Sequence, residues 1–546
     1  MATPISPNAK SSSLFFFDAR TCKEWLKAIP LTSVAQSQQK ILDALRMLNA
    51  DVNFQPVERL TSMELMREKV SFLLSAQRIR YVGKSLPLSS GDLAAWNVSI
   101  TLLTEMESGY RRCYQDAQGD GRELSVHASL IIQRVIRYIG LGMLMAGFIY
   151  RRFDNSIWMR LHLQWIEAET RDLTSVRVKD SVGTADGYSS ISQAYIAVLL
   201  GQLANIYELG PREIDFTDAV LKRFTHKVSI VRPGETKLPA DTFLAVDLLA
   251  DEGASFCSSQ TSGEHLRVLE VYELSRSLRR RIKKLAAGED PATMDLPTGW
   301  GTPEAMQQLS RLHNRWCEPS SSRPVASIPA EHNAIVAFGI PEIHFFLSGD
   351  FFEQPDVKRE LSRQEISDIA MFGRVSEATI RARYAEFNYG SETWAVIDES
   401  RSQLRLIRPT NSSRSLAIGR LVGVRVTSTT DSSKNSNDFY LCVVRGLVEE
   451  TPNQFTVTLT MLPGKPEATS VRSSDNKSRS ATYIQGFRLP PMDALGIPET
   501  LVIPANLVPR GRGVDIFHPE HGSPKPVNIV DFIDRGVDFD RVTIAG

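Results

Sequence analysis

The sequence predicts a multidomain α+β protein, with an α-helical N-terminal half and a C-terminal antiparallel β-barrel. In the N-terminal half, apolar residues recur at spacings of three, four and seven, as they do on one face of a helix. After about residue 390 they instead alternate with polar residues, which is typical of half-buried strands. At 546 residues, the chain has room for several domains, each with its own core.

Helical patterns follow one another up to about residue 209, with short polar breaks between them. Val34, Ile41, Leu45 and Leu48 form one apolar stripe, and Pro56 begins the next helix. Further helices are predicted at 89–117, 125–153, 155–171 and 191–209. No period holds through three units, so we expect a helical bundle or short solenoid without a regular repeat.

The middle of the chain mixes strand and helix patterns. Strands are predicted at 228–231 and 243–246, a helix at 266–285, and a further α+β element at 333–348. A charged connector, 352–372, follows this element. The predicted organisation is a disordered tail (1–18), a helical domain (19–212), a mixed α/β region (213–330), an α+β element with its connector (331–372), a barrel (373–475) and a C-terminal β extension (476–546).

The barrel prediction starts from a strand–turn–strand unit at 393–408. Trp394, Val396 and the pair Leu404/Leu406 alternate with polar or small neighbours. Between the two runs lies a polar turn whose side chains can bond their own backbone. Strand patterns at 421–426, 439–447 and 455–461 extend the unit into a small antiparallel barrel. The turn is therefore expected to present Asp398, Ser400 and Arg401 at one rim.

This segment resembles the PilZ domain, a barrel that binds the second messenger cyclic di-GMP. The rim motif of that family, Asp/Asn-x-Ser-x-x-Gly, corresponds here to residues 398–403, with Gln403 in place of the glycine. Residues 419–422 and 443–447 also resemble later parts of the family's barrel. The whole chain is similar to long proteobacterial PilZ-like proteins with a helical N-terminal region.

The resemblance implies which residues contact the ligand. Asp398 and Ser400 would accept hydrogen bonds from guanine N–H groups, while arginines just ahead of the barrel grip the phosphates. Two of the family's arginines are spaced Arg-x-x-x-Arg. The predicted ligand-binding residues are Arg359, Arg363, Arg374, Arg381, Arg383, Asp398, Ser400, Arg401 and Gln403.

A structural role for the same residues is the alternative. Arg359 and Arg363 have the spacing, but neighbouring glutamates could pair with them along a helix. Asp398 could cap the turn, and Ser400 could satisfy backbone groups. A side chain at Gln403 would crowd a ligand that approaches the main chain where the family has glycine.

Composition sets limits on the function. Lys+Arg and Asp+Glu both number 63, so no global field steers the chain onto nucleic acid or anionic lipid, and nucleic acid is an unlikely partner. Five scattered cysteines indicate reduced thiols in a cytoplasmic protein. Residues 1–17 do not resemble a signal sequence, and the longest apolar run, 138–150, is expected to be a buried helix without a membrane span.

No motif predicts catalysis or a bound cofactor. Phosphate loops, nucleophile elbows, zinc-protease motifs and the cyclase and phosphodiesterase signatures of cyclic di-GMP metabolism do not occur in the sequence. His518 and His521 are close, but prolines make their segment a turn without an evident third ligand, so no metal is expected. We therefore predict a protein that is not an enzyme.

The expectation is a non-enzymatic, cyclic di-GMP-responsive signalling protein whose helical region binds a protein partner. Ordering of the connector arginines on the ligand would change how the two halves face each other. One alternative is a degenerate PilZ scaffold that binds no nucleotide. Another is a nucleic-acid-associated regulator that uses the basic run 276–284, although a solvated helix face is the simpler interpretation of that run.

Overall fold

The computed structural model describes most of the chain. The described residues are 15–30, 32–118, 122–153, 156–184, 186–236, 242–318, 328–355, 361–379, 389–410, 412, 414–427, 439–474, 482–509, 512–517 and 523–545. The chain divides into two compact units. The first comprises Met1–Lys84, Leu88–Ile206 and Pro211–Pro324, and the second comprises Ser85–Pro87, Tyr207–Gly210 and Val325–Gly546. The predicted fold class, a helical N-terminal half and a C-terminal antiparallel barrel, is confirmed.

The first unit is built mainly from helices. They are α1 (Ala19–Ala28), α2 (Val34–Ala50), α3 (Pro56–Arg78), α4 (Ser90–Gln118), α5 (Ala128–Gly147), α6 (Ser156–Thr170), α7 (Ile191–Leu203), α8 (Pro211–Phe224), α9 (Tyr272–Ala286) and α10 (Thr302–Cys317). Their boundaries follow local chemistry. Proline occupies the first turn of α3, and a capping box from Ser190 to Gln193 begins α7. The helix predicted at 191–209 ends earlier than expected, at Leu203.

Short strands accompany these helices. They are β1 (Val178–Lys179), β2 (Tyr188–Ser189), β3 (Ser229–Val231), β4 (Thr242–Asp247), β5 (Ser255–Ser258) and β6 (Leu266–Glu270). β3, β6, β4 and β5 form an antiparallel sheet in that order. The predicted helix at 266–285 is wrong at its start, because Leu266–Glu270 is a strand paired with β3 and β4. A short apolar run fits a buried strand and a buried helix equally well, and pairing decides here.

A buried ionic network holds α3 and α5 to the β1–β2 hairpin. The fully buried carboxylate of Asp180 accepts hydrogen bonds from Arg67 and from Gln133 (3.1 Å), and Arg137 lies 3.5 Å away. Burial alone would raise the pKa of Asp180, but Arg137, Arg134 and Arg67 together lower it. Removing one partner would leave a buried charge unpaired, which typically costs about 3–5 kcal/mol.

The helical stretch Leu124–Gly147 is long and apolar enough to cross a membrane by length and composition. Of its most apolar window, 61% is buried against the rest of the protein. A core helix of a globular unit satisfies the same criteria. The packing agrees with the buried helix expected for residues 138–150, and the absence of a membrane span stays a prediction.

The second unit contains two closed antiparallel barrels. The first barrel comprises β7 (Ile328–Phe338), β8 (Ser391–Glu399), β9 (Gln403–Ile407), β10 (Leu421–Thr427), β11 (Tyr440–Thr451) and β12 (Gln454–Met461), closed in the order β10-β11-β12-β9-β8-β7. Among the described residues between β7 and β8 are the helices α11 (Gly339–Ser348) and α12 (Arg363–Phe372). Trp394 and Val396 are buried while Thr393 and Ala395 are exposed, as the alternation predicted.

The first strand of this barrel was not predicted as part of it. β7 pairs with both β8 and β10 and so closes the barrel. The sequence prediction placed residues 333–348 in a separate α+β element. Residues 328–338 do form a strand and 339–348 a helix, but the strand belongs to the barrel.

The predicted C-terminal β extension closes into a second barrel. Its strands are β13 (Glu467–Ser473), β14 (Ile484–Leu489), β15 (Thr500–Pro504), β16 (Gly513–Phe517), β17 (Lys525–Arg535) and β18 (Phe539–Ala545), in the order β13-β14-β15-β18-β17-β16. Numbered from its own first strand, each barrel has the same cyclic order, 1-2-3-6-5-4. The two barrels therefore repeat one topology.

A shared core cluster joins the barrels. Phe439, Leu441 and Val443 from the first barrel pack with Phe487 and Val502 from the second. Residues of α11 complete the cluster. The barrels therefore form one apolar core between them, in addition to the separate core inside the second barrel.

Candidate functional site

The corner between β8 and β9, residues 398–403, is called the rim turn below. The Ser400 N–H donates to the Gln403 carbonyl oxygen (2.8 Å), and the Gln403 N–H donates to Ser400 Oγ (3.0 Å). The Ser400 hydroxyl thus closes its own turn, which is the structural role considered for it above. A ligand would have to use the second lone pair of this oxygen or replace the turn's hydrogen bond.

A β-bulge decides which way Asp398 points. Val396 lies opposite Leu406, whereas Asp398 rather than Ile397 lies opposite Arg405. The extra residue reverses the alternation, so that Asp398 leaves the buried face and joins the exposed face with Arg405. Its carboxylate accepts a hydrogen bond from Arg405 Nη1 (2.8 Å). A sequence pattern alone does not locate such a bulge.

The acceptors of the rim turn are thus already paired within the chain. The side chain of Arg405 is 50% exposed and that of Asp398 is 16% exposed, so solvent screens their ion pair only in part. Arg401 is exposed at the tip of the turn, and Gln403 is half-buried opposite Thr460 in the ladder. The structure therefore places Asp398, Ser400, Arg401 and Gln403 in one turn, and their contact with a ligand stays a prediction.

The other predicted arginines are distributed differently. Arg363 is the first residue of α12, and Arg374 lies in the turn after that helix; both are exposed. No ion pair joins either of them to the rim turn among the described residues. Arg359, Arg381 and Arg383 lie outside the described part of the chain. The proposed contact of these arginines with a ligand stays a prediction.

The sequence contains another Arg-x-x-x-Arg pair, Arg311 and Arg315, on α10. The two side chains line a cleft of about 400 Å³ together with Gln307, Ser310 and Asn314. These positions share one face of the helix, since they follow each other at spacings of three and four. Planar guanidinium groups one helical turn apart can grip phosphate oxygens bidentately.

Burial of the opposite face of α10 fixes the orientation of that pair. Leu309, Leu312 and Trp316 are buried, and the indole N–H of Trp316 donates to the Leu200 carbonyl oxygen (2.8 Å). Rotating the helix would bury arginines and expose a tryptophan, so the cleft-lining face is held outward. The arginine side chains are therefore displayed from a rigid element.

The position of Arg311 and Arg315 in the chain also favours them as the arginine pair that precedes the barrel. In the PilZ resemblance the arginines stand just before the barrel, and the first barrel strand is β7, which begins at Ile328. Arg311 and Arg315 precede β7, whereas Arg359 and Arg363 fall between the first and second strands. The spacing was visible in the sequence, but the pair is recognisable only once β7 is known to be a barrel strand.

The remaining candidate sites have structural explanations. In the basic run of α9, Arg276, Arg279, Arg281 and Lys284 form ion pairs with Glu273, Glu318, Asp295 and Glu289. This agrees with a solvated helix face. His518 and His521 lie outside the described residues. Within the described part of the chain, no cluster of three His, Cys, Asp or Glu side chains could hold a metal ion.

Comparison with known proteins agrees with the resemblance. Residues 20–234 match the family described as cyclic-di-GMP receptor FimW, N-terminal domain. The chain is 23% identical over 349 residues to the cyclic-di-GMP receptor FimW of Pseudomonas aeruginosa. That alignment covers 63% of this chain and 56% of the relative, so the chain spans little more than half the length of the curated protein it matches. No solved structure matches the chain.

These similarities confirm the predicted resemblance to PilZ-like cyclic di-GMP receptors that have a helical N-terminal region. The family match lies in the helical part of the chain, and the sequence motif lies in the first barrel. Two separate regions thus point to the same class of protein.

Proposed function

We propose that this chain is a non-enzymatic receptor for cyclic di-GMP that works in the cytoplasm through contacts with a protein partner. The similarity to a cyclic-di-GMP receptor carries the proposal. A closed barrel with acceptor side chains at the rim turn supports it independently. In this role the helical unit offers the surface for the partner.

Each compact unit offers one set of residues for contact with the ligand, and the two sets are separate candidates. Arg311 and Arg315 grip its phosphates, because their forked donors match pairs of phosphate oxygens. Asp398 and Ser400 accept from guanine N–H groups, with Asp398 exchanging Arg405 for the base. The exchange replaces a partly exposed ion pair by hydrogen bonds from the base to the same carboxylate. The two sets belong to different compact units, so each is tested by its own variants.

Isothermal titration of the full chain with cyclic di-GMP tests the proposal. Wild-type protein is expected to give saturable heat, and the double variant R311A/R315A is expected to lose at least about 100-fold in affinity. The estimate takes two charge-assisted hydrogen bonds at about 1.5–3 kcal/mol each. The matched control is R276A/R280A, which removes two exposed arginines at the same spacing from α9.

The outcomes separate the parts of the proposal. Unchanged binding by R311A/R315A would show that the α10 pair does not contact the ligand, and the proposed receptor function would still stand. Equal losses in the two double variants would indicate a general charge effect. If the folded wild-type protein gave no heat at high micromolar ligand, the proposed receptor function would be wrong.

A scaffold without nucleotide is the second candidate function. One observation favours it: Asp398 and Ser400 are both already bonded within the chain, and Gln403 replaces the glycine of the family motif. The same titration decides, because a scaffold gives no heat with any variant. A partner captured equally well with and without cyclic di-GMP would further support this alternative.

A further inference from the structure

The β-bulge before the rim turn also determines where Glu399 points. Directly opposite residues of an antiparallel pair share one face, and Glu399 lies opposite Leu404, which is buried inside the first barrel. Asp398, one residue earlier, lies opposite Arg405 on the exposed face. The two neighbouring carboxylates therefore leave the rim turn on opposite faces, with Asp398 outside the barrel and Glu399 on its inner face.

The end of the barrel beside Glu399 is open. The residue across from Glu399 on β7 is Ile328, which is 71% exposed. The side chain of Glu399 is itself 43% exposed. Further along the same inner face, Val396 and Leu406 are buried. Glu399 thus lies at the mouth of the barrel, where a ligand can reach its carboxylate from solvent.

His332 is the ionic neighbour of this carboxylate. On β7 it lies opposite Val396, and its Nε2 is 3.5 Å from Glu399 Oε2, which is longer than a normal hydrogen bond. Nε2 is buried and has no hydrogen-bond partner among the described residues, whereas buried polar atoms usually have one. A small movement of the Glu399 carboxylate would supply that partner. His332 is therefore placed to hold the carboxylate in one orientation.

Glu399 differs in its bonding from the other acceptor side chains of the rim turn. The Asp398 carboxylate accepts a hydrogen bond from Arg405, and the Ser400 hydroxyl closes the turn itself. Within the described part of the chain Glu399 accepts no hydrogen bond, and its ion pair is the long one with His332. An ionised carboxylate has two oxygens that can accept from two adjacent donors. Glu399 therefore has acceptor capacity to offer to a ligand.

Guanine carries two adjacent donors of the required kind. Its N1–H and its exocyclic N2–H lie side by side on the Watson–Crick edge, by which proteins read unpaired bases. Adenine has an acceptor at N1 in place of the donor, so a carboxylate would repel it there. A site built to hydrogen-bond one group rejects an analogue that lacks the group, because the protein atoms are then left unpaired. A carboxylate at this mouth can therefore distinguish guanine from adenine.

We propose that Glu399 accepts hydrogen bonds from N1–H and N2–H of one guanine base at the mouth of the first barrel, and that His332 is the positioning residue that orients its carboxylate. The inference rests on the proposed function, because its ligand is cyclic di-GMP. The negative charge of Glu399 is compatible with an anionic ligand, since the guanine edge is uncharged and Arg401 and Arg405 balance the two carboxylates of this corner.

Titration calorimetry of the full chain with cyclic di-GMP and with its adenine analogue, cyclic di-AMP, tests the proposal. Wild-type protein is expected to bind the guanine ligand at least about 100-fold more tightly. E399Q keeps the size of the side chain but replaces one acceptor oxygen by a donor, so its affinity for cyclic di-GMP should fall about 10- to 100-fold. Its affinity for cyclic di-AMP should stay the same or rise, and most of the selectivity should disappear.

The positioning role of His332 has its own variants. H332A should lower the affinity for cyclic di-GMP about fivefold, the value of one hydrogen bond, and should reduce the selectivity. H332Q should restore both, because its amide can still donate to the Glu399 carboxylate. If H332A lowered the affinity for both dinucleotides by the same factor, the positioning role of His332 would be wrong.

E450Q is the matched control, because Glu450 is an exposed carboxylate on β11 of the same barrel. It lies at the other end of that barrel. β12 meets the rim turn through Thr460, and Thr456 of the same strand pairs close to Glu450 and with the last residue of β9. E450Q is therefore expected to change neither the affinity nor the selectivity.

The outcomes distinguish this inference from the receptor function. If wild-type protein binds cyclic di-GMP and E399Q keeps both the affinity and the selectivity, the role of Glu399 is wrong while the receptor function stands. Equal affinity of wild-type protein for the two dinucleotides would have the same meaning. If wild-type protein binds neither of them, both the receptor function and the role of Glu399 are wrong.

Discussion

The two barrels of the second unit share one strand order but differ in their connections. Between its first and second strands, the first barrel carries residues 339–390, which include α11 and α12, whereas residues 474–483 make that connection in the second barrel. Between the second and third strands, the first barrel has the rim turn, and the second has a longer corner, 490–499, with a 3-10 turn at Asp493–Leu495.

The difference teaches where function resides in this architecture. The same strand order closes both barrels, so the order of the strands does not distinguish them. The acceptors of the rim turn, which have binding chemistry, lie in a connection of the first barrel. Loops held by a rigid scaffold commonly carry function, and a fold alone does not specify it.

The largest expected effect tests whether the barrels are one folding unit. Trp394 is fully buried in the first barrel, and Phe487 is fully buried in the cluster that both barrels share. W394A and F487A should each lower the free energy of unfolding by about 3–5 kcal/mol. Because the shared cluster couples the barrels, both variants should shift the same transition in a denaturant titration.

Val530 provides the control, since it is 51% exposed on β17 and V530A should change stability by less than about 0.5 kcal/mol. Two transitions, one shifted by W394A and the other by F487A, would contradict the coupling. The barrels would then be independent domains that share a topology only.

The sequence predicted the parts of this fold that local patterning determines. Trp394, Val396, Leu404 and Leu406 alternate in burial as their spacing indicated. β7 was missed as a barrel strand because its partners, β8 and β10, lie far along the chain, and pairing across such distances leaves no local signature. The closure of the second barrel escaped prediction for the same reason.

The candidate site was predictable to a similar extent. The acceptors of the rim turn were recognisable from the motif, but the bulge that turns Asp398 towards Arg405 depends on the register of two strands. The arginine pair of α10 has the predicted spacing, yet its place ahead of the barrel depends on recognising β7. In both cases the missing information was tertiary pairing and not residue chemistry.

A smaller effect sharpens the comparison of the two corners. D398A removes the ionised acceptor of the rim turn, and cyclic di-GMP affinity should fall by about 10- to 100-fold, which corresponds to about 1.5–3 kcal/mol. The matched variant D493A removes an exposed aspartate at the corresponding corner of the second barrel. It should leave the affinity unchanged, as measured by titration calorimetry.

Equal losses in D398A and D493A would mean that the two corners are equivalent, and the distinction drawn between the barrels would fail. If the wild-type protein binds cyclic di-GMP and D398A binds it with the same affinity, Asp398 has only a structural role, which is to pair with Arg405.

The smallest effect concerns the turn between β17 and β18 of the second barrel, which contacts the first barrel. The Leu421 N–H donates to the Asp538 carboxylate (2.9 Å), and Arg420 Nε lies 3.5 Å from it. Burial raises the pKa of Asp538 above its ordinary value of 3.8, which Leu421 and Arg420 offset only in part. The folded state thus holds this proton more tightly than the unfolded state, and stability falls as the pH rises from 3.8 through the folded-state pKa.

D538N keeps an oxygen for the Leu421 N–H but cannot ionise, and Arg420 keeps its hydrogen bond to the Ser415 carbonyl (2.6 Å). The variant should gain stability relative to wild type as the pH rises from about 4 to 7, in denaturant titrations at a series of pH values. D493N is the control, because that aspartate is exposed and should follow wild type throughout. If D538N instead lost stability relative to wild type as the pH rises, the attraction between Asp538 and Arg420 would outweigh the cost of burial. Ionisation of Asp538 would then stabilise the contact between the barrels and not weaken it.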